Sequence, residues 1–147
     1  MAFQQLRTRN RNPLSLEMLW DHDGMTHLHE NEEGRPVLRL RVMRGDDIVF
    51  GPGKAALLES IEQTGSILAA GKAMGMSYKR AWQLVETMNR LFREPVVERM
   101  RGGADRGGAR LTEAGVQALA LYRRMQDDAK AASAGSMAEL EHMLVDP

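Results

Sequence analysis

The chain has 147 residues, 43% of them hydrophobic and seven aromatic, which fits one ordinary domain with one modest core. It contains no cysteine, so disulfides, thiolate metal sites and cysteine nucleophiles are excluded, and no apolar run reaches the ~18 residues of a membrane span. Twenty basic and twenty acidic side chains cancel to a formal net charge of zero, but they are unevenly spread. Residues 66–111 hold nine Lys or Arg against four acids, whereas residues 112–147 hold three against six. A basic block offset by an acidic tail is the charge pattern of a nucleic-acid-binding face, with an ordinary solvated face as the competing reading. The start carries Arg7, Arg9 and Arg11 without an apolar stretch, so it is not read as a secretory signal. With the missing cysteines this places the expected protein in the cytoplasm.

Residues 1–34 are polar and weakly periodic and read as an N-terminal extension. Val37, Leu38, Leu40 and Val42 alternate with Arg39, Arg41 and Arg44, which predicts a half-buried strand with a basic outer face. Gly45-Asp46 is a turn, and Asp47 to Phe50 returns as a second strand of a hairpin. Gly51-Pro52-Gly53 breaks the chain before a helix from Lys54 to Gln63, with Leu57, Leu58 and Ile61 on one face. Thr64-Gly65 ends that helix, the glycine supplying a left-handed cap. Ser66 caps a helix from Ile67 to Met74, Gly75 breaks it, and Ser77 caps a third helix from Tyr78 to about Arg93. The third helix buries Ala81, Leu84, Val85 and Met88, and Pro95 stops it. Val96 to Arg99 is a strand, residues 101–109 a glycine-rich turn, and Arg110-Leu111 the start of the return. Thr112 and Glu113 open a long helix to about Ala134, which Gly135-Ser136 interrupts before a further short helical piece from Met137 to Leu144.

These elements predict a mainly α fold with a small antiparallel β component: a winged helix-turn-helix over residues 35–111, then a dimerisation helix and tail over 112–147. Two short helices that approach closely need small side chains at their crossing, and Ala69, Ala70 and Gly71 provide them. Their turn needs a positive φ, which Gly75 supplies. Ser66 and Ser77 cap the two helices, and the first turn after Ser77 presents Tyr78, Lys79 and Arg80, with Gln83 and Thr87 further along. Such side chains reach base edges in a major groove. The wing supplies Arg101, Gly102, Gly103, Arg106, Gly107, Gly108 and Arg110, where glycines allow close approach to a phosphate backbone and arginines bring charge. A nucleotide-binding phosphate loop is ruled out because no Gly-Lys-Ser/Thr follows, either here or after Gly51-Pro52-Gly53.

Thr64-Gly65-Ser66-Ile67, then Gly75-Met76-Ser77-Tyr78-Lys79-Arg80-Ala81-Trp82, Met88-Asn89-Arg90-Leu91, Val97-Glu98-Arg99, the glycine wing and Ala109-Arg110-Leu111-Thr112 before Gly115 carry a resemblance. Over about Val37 to Ala134 the chain resembles the N-terminal DNA-binding domain of the ModE-type molybdate-responsive regulators, whose helix-turn-helix is of the LysR type. The resemblance implies a winged helix followed by a long dimerisation helix, and regulation of molybdate-uptake or molybdoenzyme genes. Within the 147 residues nothing matches that family's molybdate-binding motifs, so the resemblance does not extend to molybdate sensing. The wing departs from the family pattern at Ala104-Asp105-Arg106, which interrupts a mostly glycine run.

In the last helix Leu111, Ala118, Met125 and Ala132 recur every seven residues, offset by Gly115, Tyr122 and Ala129. Ala118, Tyr122, Met125, Ala129 and Ala132 are the expected homodimer seam, against packing on the winged helix itself as the alternative. A two-fold dimer suits a palindromic operator in double-stranded DNA. Trp82 shares a helical face with Val85, Asn89 and Phe92, which favours burial over base stacking. Asp21, His22, Asp23, His27, His29 and Glu30 are candidate metal ligands, outweighed by a solvated polar reading. No cofactor and no catalytic constellation is read from the sequence. The alternative function is a winged-helix interaction module whose partner is a separate effector-sensing protein.

Overall fold

The computed structural model describes residues 35–101 and 108–146. The N-terminal extension, including His22, His27 and His29, and the wing tip with Gly102, Gly103, Ala104, Asp105, Arg106 and Gly107 lie outside the described residues. The element order is β1 (Val42–Arg44), β2 (Asp47–Phe50), α1 (Pro52–Thr64), α2 (Ile67–Ala73), α3 (Tyr78–Leu91), β3 (Val97–Met100), β4 (Gly108–Leu111) and α4 (Glu113–Met143). The strands form two antiparallel hairpins, β1-β2 before the helices and β3-β4 after them. No helix among the described residues is long and apolar enough to cross a membrane.

One core joins these elements. Leu57, Leu58 and Ile61 of α1 meet Ala81, Leu84, Val85 and Met88 of α3, with Phe50, Val96, Val97, Leu119 and Tyr122 completing the cluster. Each large aliphatic side chain here contributes roughly 1.5–3 kcal/mol by leaving water. The four inward residues expected on α3 are the four it buries.

The elements depart from their expected extents in four places. Residues 35–41 form no strand, and Val37 and Leu38 are about half exposed. The segment lies instead along α4: the Tyr122 hydroxyl donates to the Leu40 carbonyl at 2.8 Å, and Arg35 pairs with Glu141 at 3.4 Å. Helix α1 begins at Pro52 rather than Lys54, with Gly51 as an extended N-cap. Proline at the first helical position forfeits no intrahelical hydrogen bond and presets φ, so it opens the helix instead of breaking it. The next turn is buried, and the Lys54 ammonium donates to the Ile48 carbonyl, tying α1 to β2. Helix α3 ends at Leu91, four residues before Pro95, because Phe92 turns extended. Its ring then meets Phe50 edge-on at 6.0 Å, so tertiary packing sets this boundary.

The fourth departure concerns α4, which runs unbroken through Gly135. A lone glycine costs about 1 kcal/mol relative to alanine, and the flanking alanines carry the helix across it. The expected seam on this helix is also partly wrong. Tyr122 is buried, stacked on Phe50 with ring centroids 5.0 Å apart, so it packs inside its own domain and cannot line a dimer interface. Gly115 is buried against the Val96 backbone, and Ala118 is half-buried against the same core. Thr112 fixes the start of α4: its hydroxyl donates to the Pro95 carbonyl at 2.5 Å and accepts from the Gly115 amide at 3.0 Å. Arg123 adds a two-pronged contact to Glu59 of α1, at 2.7 and 2.6 Å.

Candidate nucleic-acid interface

The turn between α2 and α3 is built as its residues require. Ser66 caps α2 by accepting from the Ala69 amide, and Ser77 caps α3 by accepting from the Arg80 amide, both at 3.2 Å. Gly75 sits at φ 70°, a region that disfavours any side chain. Gly71 marks the close approach of the two helices: a Cβ there would lie 3.0 Å from the Ala81 Cβ. Of the three small residues expected at the crossing, Ala70 and Gly71 are buried and Ala69 is half-buried.

With Ala81, Leu84, Val85 and Met88 inward, helical phase sends Lys79, Gln83, Glu86 and Arg90 outward, and all four are exposed. Arg80 and Thr87 sit half-buried on one flank. The Thr87 hydroxyl donates to the Gln83 carbonyl at 2.8 Å, leaving its oxygen lone pairs as what it can offer a ligand. Tyr78, Trp82 and Asn89 occupy the other flank, towards the β3-β4 hairpin. Tyr78 is exposed, and Trp82 is half-buried against the core as its spacing suggested.

That hairpin stands in fixed register, Val97 opposite Leu111 through Met100 opposite Gly108. Because side chains alternate along a strand, Val97 and Arg99 share one face while Glu98 and Met100 share the other. Arg99 lies over the Trp82 ring, 4.3 Å from its centroid, and donates to the Tyr78 hydroxyl oxygen at 3.1 Å. Arg101 and Gly108 line a shallow groove with Arg99 and Met100 at the tip-ward end of the hairpin. Arg110 sits across from Glu98 and pairs with it at 2.5 Å, so its charge is locally matched. The Gly108 strand end is held to the helix-turn-helix, since the Ala109 amide donates to the Gly65 carbonyl at 2.8 Å.

Two residues have roles in this arrangement that the sequence does not assign them. Asn89 clamps the base of the wing to α3: its Oδ1 accepts from the Val96 and Val97 amides at 2.8 and 3.1 Å, and its Nδ2 donates to the Val97 carbonyl at 3.0 Å. Arg99 was legible as part of the basic block, and period-two counting from buried Val97 would have turned it towards α3. Its two aromatic partners were visible only once β3 was placed beside that helix. Among the described residues no group of three His, Asp or Glu could hold a metal ion.

No family model matches the chain. A stretch of 70 residues is 47% identical to the molybdenum transport protein ModE of Azotobacter vinelandii, covering 48% of this chain and 26% of that protein. A stretch of 86 residues is 46% identical to the molybdenum-pterin-binding protein MopA of Rhodobacter capsulatus, covering 58% and 32%. The transcriptional regulator ModE of Yersinia pestis is 46% identical over 71 residues, covering 48% and 27%. The chain thus spans between about a quarter and a third of the length of these curated relatives. Among solved structures, the DNA-binding domain of CbnR in complex with DNA superposes with a TM-score of 0.47 at 21% identity, covering 59% of this chain and 94% of that one, a fit too loose to carry an argument. Over the matched stretch, the helix-turn-helix and hairpin of this chain are similar in sequence to part of these ModE proteins.

Proposed function

We propose that this protein is a cytoplasmic, sequence-specific double-stranded DNA-binding transcriptional regulator linked to molybdate or molybdoenzyme genes. The observation that carries the reading is the outward face of α3, Lys79 and Gln83 with Arg80 on its flank, set beside a hairpin that holds Arg99 against the same helix and carries Arg101 just beyond its end. In this reading α3 enters the major groove, where Lys79, Arg80, Gln83 and Thr87 address base edges. Ser66 and Ser77 fix the helix ends, and Tyr78, Arg101 and the wing glycines, Gly108 among them, approach the backbone. Gly102, Gly103, Arg106 and Gly107 belong to this wing by sequence. Arg110, matched by Glu98, serves the hairpin instead. The relatives named as a molybdenum transport protein ModE and a transcriptional regulator ModE support the link to molybdate.

The proposed organisation is an extension over 1–34, the DNA-binding domain over 35–111, and α4 with its tail over 112–147. A homodimer forms along the part of α4 turned away from its own core. Leu121 and Met125 are each about half exposed there, and Ala132 continues the stripe, with Ala129 at its edge. A dimer doubles the phosphates contacted and presents two recognition helices to a palindrome.

Selection of duplexes from a random-sequence pool by the purified chain tests this. The expected product is a two-fold symmetric motif whose half-sites lie about 10–10.5 base pairs apart or a multiple of that. Arg80→Ala should relax the selected sequence, whereas Arg101→Ala should weaken binding to all duplexes alike. A pool that shows no enrichment over its starting composition would overturn the proposal.

A further inference from the structure

Tyr78, Trp82 and Arg99 form a three-residue contact between α3 and β3 whose hydrogen-bond direction is fixed by chemistry alone. A guanidinium has donors and no acceptor. The 3.1 Å contact between Arg99 Nη2 and Tyr78 Oη is therefore a donation from the arginine to the phenol oxygen. The phenol proton cannot lie along that line, and Tyr78 is exposed, so its O–H is left to donate to solvent or to a ligand. Arg99 is restrained in turn, because one face of its guanidinium covers the Trp82 ring at 4.3 Å. Stacking leaves the edge of the guanidinium, with its remaining N–H groups, open.

We infer that Tyr78 and Arg99 act as a paired donor for a phosphodiester oxygen of the DNA backbone, with Arg99 stacked on Trp82 serving also as the positioning residue for the Tyr78 hydroxyl. The inference rests on the DNA-binding reading and names a contact within it. Tyr78 sits on the wing-side flank of α3, about a third of a turn from the outward line of Lys79 and Gln83, on the side where a strand bordering the groove would run. Accepting from a cation makes the phenol a stronger donor, and its ligand is accordingly an anion. A phosphate contact of this kind sets register on the duplex and carries no base preference.

The test uses the full chain in a Trp20→Phe background, so that fluorescence reports Trp82. Tyr78→Phe, Arg99→Lys and the double variant are titrated with a duplex from the selection and with its shuffled counterpart across a salt series. Tyr78→Phe should weaken binding to both duplexes by about tenfold, as expected for one hydrogen bond to a charged group. It should leave the salt slope unchanged, since no charge is removed. Arg99→Lys keeps the charge but cannot stack flat and donate at once, so it should cost a similar factor and shift the emission of Trp82, which Tyr78→Phe leaves alone. The double variant should lose little more than the worse single one. Losses that multiply, or a Tyr78→Phe protein that binds as the parent does, would overturn the inference while leaving the regulator reading intact. A parent protein that binds neither duplex would bring down both.

Discussion

Replacing Asn89 by alanine should detach the wing from the recognition helix. Val96 and Val97 are buried, so the three peptide groups that Asn89 satisfies have no ready access to water. Each hydrogen bond contributes about 1 kcal/mol net, and stranding a buried group costs at least as much, so the loss should be about 3 kcal/mol. For a domain of this size that corresponds to a fall in Tm of roughly 12 °C. Asn89→Asp keeps an acceptor for the two amides but loses the donor and sets a carboxylate beside the Val97 carbonyl, so it should fall between alanine and wild type. Urea unfolding followed by circular dichroism gives the loss, and titration with a selected duplex shows whether binding weakens with it. An Asn89→Ala protein destabilised by less than about 1 kcal/mol would mean that the amides find other partners and that Asn89 does not hold the wing.

Gly115→Ala should be worse. The added Cβ would overlap the Val96 carbonyl oxygen and lie 2.9 Å from the carbonyl carbon. Backbone cannot swing aside as a side chain can, so the expected loss is about 3 kcal/mol or more in thermal unfolding. Gly135→Ala should act in the opposite sense, since nothing lies within 4 Å of its added Cβ and the position is mid-helix. A gain of about 1 kcal/mol is expected, visible as a higher Tm. Met125→Glu, on the exposed stripe of α4, should convert a dimer to a monomer in analytical ultracentrifugation without lowering the Tm of the winged helix. A variant that sediments as the parent does would place the dimer contact elsewhere.

Local rules were enough where local chemistry decides. The serine caps, the left-handed Gly65 and Gly75, and the inward face of α3 all follow from residues a few positions apart. They were less sufficient where a distant element intervenes. Alternation from Val37 to Val42 is genuine, yet Leu40 bonds to Tyr122, 82 residues away, and its segment follows α4 instead of pairing as a strand. Tyr122 fits a seven-residue repeat equally well as a seam residue or as core, and only the stack on Phe50 decides between them. Of the candidate site, the α3 face was legible because a helix buries a predictable stripe. The Asn89 clamp and the seating of Arg99 were not, because each depends on where a strand following a proline lies relative to that helix.

Whether this chain reads DNA sequence is decided by its affinity as a function of salt. The full chain is titrated with a selected palindromic duplex and with a shuffled duplex of equal length, from about 50 to 200 mM salt. The logarithm of affinity should fall linearly with that of salt on both duplexes. The selected duplex should bind at least about 10³-fold more tightly than the shuffled one near physiological salt. Equal affinity for the two duplexes at every salt concentration would contradict sequence-specific binding.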